Sequence, residues 1–328
     1  MFRKVEVTLA RPTLSVLLPN YNHAAYISEA LQAILEQTYQ PLEVIVIDDA
    51  STDASLGVIE PFVRQFPHVR LLKNAQNQGA VASANRALEV ATGDYIYWAA
   101  ADDRVLPGFF EQSMTLLAQY PEAGLCFADL VFLDAKTGVI HPKHLGFQDQ
   151  AGYLSPPDLV TVMRRTREYI PGYTAIFKRS ALLDVGRFIP ELQWHSDWFA
   201  LHAIGFRYGA CYIPEPLAAF RFLPNSFSSS SDRWHQQRPV LDKLLHLLAA
   251  PSYRDVAPYF QESRILSKFG SQLVRLVWSE PLHRPFLSRS LLGEIGRREV
   301  KNLLIRVGPL RLRQLFWTLR LRYQTLNR

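Results

Sequence analysis

The sequence predicts an α/β protein: a mostly parallel sheet flanked by helices, with a helical C-terminal extension. Three observations predict it. Short apolar, β-branched runs such as Leu42–Ile47 suit strands buried on both faces. Stretches with helical spacing alternate with those runs, as in a parallel sheet covered on both sides. Beyond residue 233 the strand-like runs stop, and helical spacing continues between Pro251, Pro258, Pro281, Pro285 and Pro309.

Leu14–Leu18 is the first strand, and Pro19-Asn20-Tyr21-Asn22-His23 is a turn. Ala24–Gln37 places Ile27, Leu31, Ile34 and Leu35 on one helical face. Leu42–Ile47 is the second strand. Asp49-Ala50-Ser51-Thr52-Asp53 supplies turn and cap chemistry before a helix over Ala54–Gln65. Val69–Lys73 is a strand, Asn74–Gly79 a loop, and Ala80–Ala91 a helix stopped by Gly93. Tyr95–Trp98 is a strand. Pro107 opens a helix over Phe109–Tyr120, and Leu125–Leu133 is a further strand. Asp134–Thr166, richer in Pro and Gly, reads as loops around short elements. Order returns over Val185–Phe222, and the Ser-rich run Ser226–Ser231 marks a boundary. The expected division is 1–230, with halves near 14–133 and 134–228, and 231–328 as the extension.

At 328 residues and 48% hydrophobic, the chain can bury a real core. Cys126 and Cys211 sit in apolar contexts and read as buried thiols without a metal-type cluster. Met1-Phe2-Arg3-Lys4 leads into no secretory signal, and no apolar run spans a bilayer, so a cytoplasmic location is expected. Residues 297–328 carry nine basic side chains and one acid, a net of +8 out of a whole-chain +6. The basic character therefore belongs to the tail.

The chemistry gathers in two Asp-Asp pairs. Asp48-Asp49 follows the second strand, and Asp102-Asp103 follows Tyr95–Trp98. Ligands of open α/β sheets bind beyond the carboxyl ends of such strands. Carboxylates crowded there repel one another until a cation or a hydrogen-bond donor relieves them.

These pairs belong to an ordered series of motifs: Leu14–Asn22, Gln37-Thr38-Tyr39, Glu43–Asp53, Asn77-Gln78-Gly79 with Asn85, Gly93–Ile96 and Asp102-Asp103. The series resembles the family-2 glycosyltransferases of the GT-A (Rossmann-like) fold, over roughly Leu14 to Ser228. The resemblance implies an inverting, metal-dependent transferase of hexosyl type. It would take a nucleoside-diphosphate sugar, UDP- or dTDP-linked, and a saccharide or lipid-linked saccharide acceptor, in cell-surface polysaccharide synthesis.

It also implies roles. Tyr21 matches the aromatic that stacks on the base, although alone it is equally a turn aromatic packed on the sheet. Asp49 matches the acid facing the base, whereas Asp48 reads as a helix cap and Asp53 likewise. Pro19, Asn22, Asn77, Gly79 and Asn85 belong to the donor motifs. Asp103 matches the direct ligand of Mn2+ or Mg2+, and Asp102 a ribose contact. Ala100 stands where the family commonly has another Asp. Gly172 and Tyr173 lie in a small-residue strand under the acceptor cleft. In Trp194-His195-Ser196-Asp197-Trp198, Asp197 matches the catalytic base, and Ser196 replaces the usual Glu. Asp197 reads equally as a helix N-cap, and the two roles are compatible. His195 and Trp198 become acceptor contacts, with an incidental surface histidine the other reading of His195. Arg221 would approach the diphosphate or make a structural ion pair. Leu223 stands where a His is frequent.

Leu310–Leu326, on a helical wheel, gathers Leu312, Leu315, Phe316, Leu319, Tyr323 and Leu326 on one face, flanked by arginines. Such a tail suits the inner face of a membrane or an ordinary buried helix. No nucleic-acid partner is expected. The rival reading is a catalytically degenerate GT-A scaffold or sugar-nucleotide-binding module. A phosphorelay receiver leaves the Asp197 region unexplained, and no dinucleotide-type glycine turn follows the first strand.

Overall fold

The computed structural model describes residues 11–134, 139–222 and 233–307. These form two compact units, one ending at Tyr259 and the other beginning at Phe260.

In the first unit, β1 (Leu14–Asn20), α1 (Ile27–Leu35), β2 (Glu43–Asp48), α2 (Ser55–Gln65), β3 (Val69–Lys73), α3 (Ala80–Val90) and β4 (Tyr95–Trp98) follow the expected alternation. Next come β5 (Arg104–Val105), α4 (Phe109–Gln119), β6 (Leu125–Asp134), β7 (Ile140–Lys143), β8 (Gly152–Leu154) and α5 (Pro156–Thr166). The series continues with β9 (Ala175–Lys178), α6 (Arg179–Asp184), α7 (Ser196–Tyr208), β10 (Ala210–Phe222) and α8 (Trp234–Ala249), and the division between the units falls within α9 (Ala257–Glu262). The strands form one sheet in the order β3-β2-β1-β4-β9-β6-β10-β5, with β7 beside β6 and β8 beside β10. β1, β2, β3 and β4 are mutually parallel, as are β6 and β10. β9 enters antiparallel between β4 and β6. The sheet is therefore mixed, with its parallel ladders concentrated in the first half.

Burial explains the strand runs. Leu14, Val16, Leu17 and Leu18 of β1 and Val44 to Ile47 of β2 are wholly inaccessible, because helices cover both faces. Helix α1 buries the expected Ile27, Leu31, Ile34 and Leu35. It begins at Ile27, later than Ala24, because the Ala24 amide donates to Asp53 and His23 closes a turn on Tyr26 and Ile27. Cys126 and Cys211 are buried free thiols, facing each other across β6 and β10.

The 134–166 stretch holds more order than expected. Its prolines begin α5: Ser155 caps the helix by accepting from the Asp158 amide, and Pro156 and Pro157 occupy first-turn positions that need no N–H. In β10, Pro214 and Pro216 fall where the register with β6 shifts.

The expected boundary at Ser226–Ser231 lies outside the described residues. Past it, α8 still joins the first unit, since Trp194 Nε1 donates to Gln237 Oε1 at 2.8 Å. The second unit contains α10 (Gly270–Ser279) and α11 (Arg289–Val307) with 3-10 turns at Ile265–Phe269 and Pro281–Phe286. Leu266, Leu273, Leu276, Val277, Phe286 and Leu291 form its interior. The amphipathic segment Leu310–Leu326 lies outside the described residues. Among those described, no helix is long and apolar enough to cross a membrane.

Candidate active site

The chain runs outward from β1 in two directions: β2 lies on one side and β4 on the other. A crevice opens at such a reversal, beyond the carboxyl ends of the strands. The turns after β1, β2 and β4 carry Pro19–Asn22, Asp48–Asp53 and Ala99–Asp103. β1 separates β2 from β4, so the edges bearing Asp49 and Asp103 are roughly 10 Å apart, two strand spacings.

The β1 and β2 turns are tied together. Asn20 Nδ2 donates to Asp48 Oδ1 at 3.0 Å, and Asp48 Oδ2 accepts from the Ser51 amide. Asn22 adopts a left-handed φ of 58°, which asparagine tolerates better than most residues. Its Oδ1 accepts from the Thr52 and Asp53 amides. Asp53 takes the Ser55 amide at the start of α2. Asp48, Asp53 and Asn22 thus shape turns. Pro19 is half-buried beside them, and Tyr21 is left 42% exposed at the crevice mouth.

Asp49 is only 2% exposed. Its Oδ1 accepts from Asn74 Nδ2 at 2.6 Å and the Gln78 amide at 2.9 Å, and its Oδ2 accepts from the Gly79 amide at 2.8 Å. This carboxylate pins the 74–79 loop. Gly79 has φ +89°, a conformation glycine adopts without strain, and its amide also meets Asn77 Oδ1. Asn85 sits in α3 with both ends of its amide spent on the Phe188 backbone, where it ties α3 to the segment that follows α6.

Asp103 is buried in the turn after β4. Its Oδ1 accepts from the Arg221 amide at 2.8 Å. Arg221 Nε donates to the Asp102 carbonyl at 2.9 Å, and its guanidinium pairs with Glu29 and lies 4.9 Å from the Tyr26 ring centre. Glu29 also pairs with Arg104. Arg221 therefore holds the acidic turn, in the structural ion pair that was one of its two expected roles. Burial pushes the Asp103 carboxyl well above the usual carboxylate range, and the neighbouring Asp102 charge adds to that, against the opposing pull of Arg221.

β9 runs antiparallel to β4, with Tyr97 opposite Ile176. The turn Gly172–Thr174 before β9 therefore lies beside the end of β4. Tyr97 Oη donates to the Tyr173 carbonyl at 3.1 Å, and the Tyr173 ring meets Phe220 at 5.0 Å between centroids. Both phenols are raised, chiefly by burial; the Asp103 charge adds next at Tyr97, and at Tyr173 it follows that of Tyr169, so both rings lie near that carboxylate. On the other side of the same turn, Asp197 fills the space where Gly172 has no side chain. A β-carbon there would overlap Oδ2 and lie 3.1 Å from Cγ. Asp197 stands in the first turn of α7, where the helix dipole favours an anion, and Oδ1 accepts from the Trp198 amide at 2.7 Å.

His195 and Trp198 face inward. His195 is buried, its Nε2 2.9 Å from the Gln237 amide nitrogen of α8. It is not a surface histidine, and its ring has a protein partner where an acceptor contact was expected. Trp198 is buried with its ring 4.7 Å from His202. Nothing in the local sequence pointed to Glu29, Gln237 or Tyr97. Each reaches the site through contacts across the fold.

The donor set suits a hard divalent cation. Asp103 is a buried carboxylate whose charged form is penalised, with Asp102 adjacent, and among the described residues no hydrogen bond to its Oδ2 is recorded. Oxygen ligands of this kind match Mg2+ or Mn2+.

Residues 15–185, just over half the chain, match the family described as Glycosyl transferase family 2. YibD of Escherichia coli, named as a glycosyltransferase, is 40% identical over 120 residues, 36% of this chain and 35% of YibD. TuaG of Bacillus subtilis, named for teichuronic acid biosynthesis, is 26% identical over 67% of this chain and 83% of its own. Residues 1–349 of S. aureus TarS, solved in complex with UDP-GlcNAc, align with a TM-score of 0.58 and 18% identity, covering 82% of this chain and 73% of that one. The mannosyltransferase PcManGT of Pyrobaculum calidifontis, solved with GDP-Man and Mn2+, aligns with a TM-score of 0.56 and 20% identity, covering 92% and 83%. At these identities the structural likeness establishes the fold.

Proposed function

Because the chain belongs to glycosyl transferase family 2 and carries the GT-A fold, we infer that it moves a sugar from a nucleoside-diphosphate sugar to a saccharide or lipid-linked saccharide hydroxyl. The observation that carries this reading is the Asp197 carboxylate, seated on Gly172 in the turn whose Tyr173 carbonyl accepts from Tyr97 at the end of β4. A hydroxyl is a weak nucleophile at neutral pH, and a positioned carboxylate takes its proton as attack proceeds.

The reaction is a single displacement. The acceptor oxygen bonds to the anomeric carbon, the bond from that carbon to the diphosphate oxygen breaks, the acceptor proton passes to Asp197, and configuration inverts. Asp103, with Asp102 beside it, would hold Mn2+ or Mg2+, which supplies positive charge for the diphosphate. Tyr21 offers an exposed ring for the base. Asp49 acts through the 74–79 loop it pins, and Arg221 through the acidic turn it holds. The donor half is 14–133 and the acceptor half 134–228.

UDP-GlcNAc and GDP-Man bound to the structural relatives support a nucleotide sugar as donor, and a UDP-sugar is the favoured choice. The TuaG likeness favours a cell-surface polysaccharide as the product. The basic tail would keep the enzyme at the inner membrane surface, near a lipid-linked acceptor.

The test is a thermal-shift screen of nucleoside diphosphates and sugar nucleotides with and without Mn2+, followed by turnover of the stabilising donor. Release of nucleoside diphosphate with inversion supports the reading. Saturable donor binding without turnover assigns the chain to a binding module instead.

A further inference from the structure

Helix α10 of the second unit has a clear inner stripe, Leu273, Leu276 and Val277, all buried. Its outer face carries Arg275 and Trp278, three residues apart and hence neighbours on the helix surface. Trp278 is 85% exposed, and Leu282, in the turn that follows, is 70% exposed. An indole standing this far into solvent is costly, and contiguous exposed apolar groups of this size mark interaction sites. Between residues 271 and 293 the exposed charged side chains are Arg275, Arg284 and Arg289; the acid of the stretch, Glu280, is half-buried, which leaves the segment at a net +2.

The geometry points to a membrane-docking surface: Trp278 and Leu282 enter the interfacial layer of an anionic bilayer while Arg275 and Arg284 meet the lipid phosphates. Tryptophan is suited to this layer because its ring is apolar and its N–H stays solvated. Each arginine near an anionic surface adds attraction that salt screens. Charge selects lipid over a second copy of the chain. A two-fold interface through this patch would bring two surfaces of net positive charge together, whereas anionic headgroups neutralise that charge. The same sign continues in sequence through residues 297–328, with their net charge of +8.

The test is co-sedimentation of the full chain with sucrose-loaded vesicles, either pure phosphatidylcholine or phosphatidylcholine with phosphatidylglycerol. Because donor and acceptor are absent, the outcome is independent of the transferase reading. The expected result is binding to the anionic vesicles only, lost as salt rises. Trp278→Ser with Leu282→Ser should lower the partition coefficient about tenfold or more, with an unchanged melting temperature because both side chains are exposed. Arg275→Glu with Arg284→Glu should weaken binding to the anionic vesicles severalfold, the basic residues of 297–328 keeping the remaining preference. Leu42→Ser, an exposed leucine of the first unit, should leave binding intact. Three results overturn the proposal: no vesicle binding by the native chain, equal binding by the Trp278/Leu282 variant, or a change in oligomeric mass in that variant with vesicle binding preserved.

Discussion

The Asp197 carboxylate occupies the place a Gly172 side chain would take: a β-carbon there would lie 3.1 Å from Asp197 Cγ and overlap Oδ2. Gly172 precedes β9 and Asp197 lies in the first turn of α7, so this contact fixes the carboxylate against the turn leading into β9. The small residue and the acid act as a pair.

Gly172→Ala should therefore displace the carboxylate without removing it. The expected effect is a fall in kcat of roughly 10²-fold, the scale of a misplacement near 1 Å, with donor affinity nearly unchanged. Single-turnover kinetics beside donor titration measures the split. A parallel loss of donor affinity would place Gly172 in the donor pocket instead.

Asp103→Asn trades function for stability. The folded Asp103 pKa is raised above its unfolded value of about 3.9. Its favourable contribution is complete below that value and is lost as pH rises through the folded pKa. At neutral pH the raised pKa therefore costs stability relative to acid pH, and the amide removes that penalty while Oδ1 still accepts from Arg221. Melting temperature at pH 7 should rise by ~2–4 °C, the gain vanishing near pH 4, while Mn2+ no longer stabilises the protein. A variant less stable than the native chain at pH 7 would refute this.

Arg221→Lys keeps the charge but not the planar fork. It loses the Nε bond to the Asp102 carbonyl and the contact over Tyr26. A loss of about 1.5–3 kcal/mol is expected from hydrogen bonding by a charged group, together with a several-fold higher KM for donor. Chemical denaturation and initial rates check both parts. Unchanged KM with lowered stability would confine Arg221 to a structural role.

Asp49→Asn puts an amide donor among three donors, the Asn74 side chain and the Gln78 and Gly79 amides. At least one of them loses its acceptor, at a cost of about 1–3 kcal/mol. Amide exchange of Gln78 and Gly79 should quicken, and donor affinity should weaken with it. Weakened donor affinity with unchanged exchange would indicate a direct contact between Asp49 and the base.

Much of this was legible in the sequence, because buried strands must be apolar on both faces and turns must be polar. β1, β2, β3 and β4 lie where their apolar runs do, whereas Asp48 and Asp53 accept amides of the turn leading into α2 and the N-cap position itself, Ala54, has no side-chain cap. Tertiary pairing was less legible. The antiparallel entry of β9 depends on its neighbours, since its own four residues fit either direction. Pro156 and Pro157 read as loop, yet Ser155 makes them a helix start. Glu29 meets Arg221 across 192 residues, and Gln237 meets His195 across 42. Such partners leave no local periodicity, so a histidine that read as surface or acceptor contact is in fact buried against α8.

The most direct measurement is transfer by Asp197→Asn, with UDP-GlcNAc and GDP-mannose as donors, Mn2+ present and a panel of saccharide acceptors. Transfer should fall by about 10²-fold or more, with donor affinity within about twofold of native. Transfer at the native rate in that variant would place the base elsewhere and contradict the account.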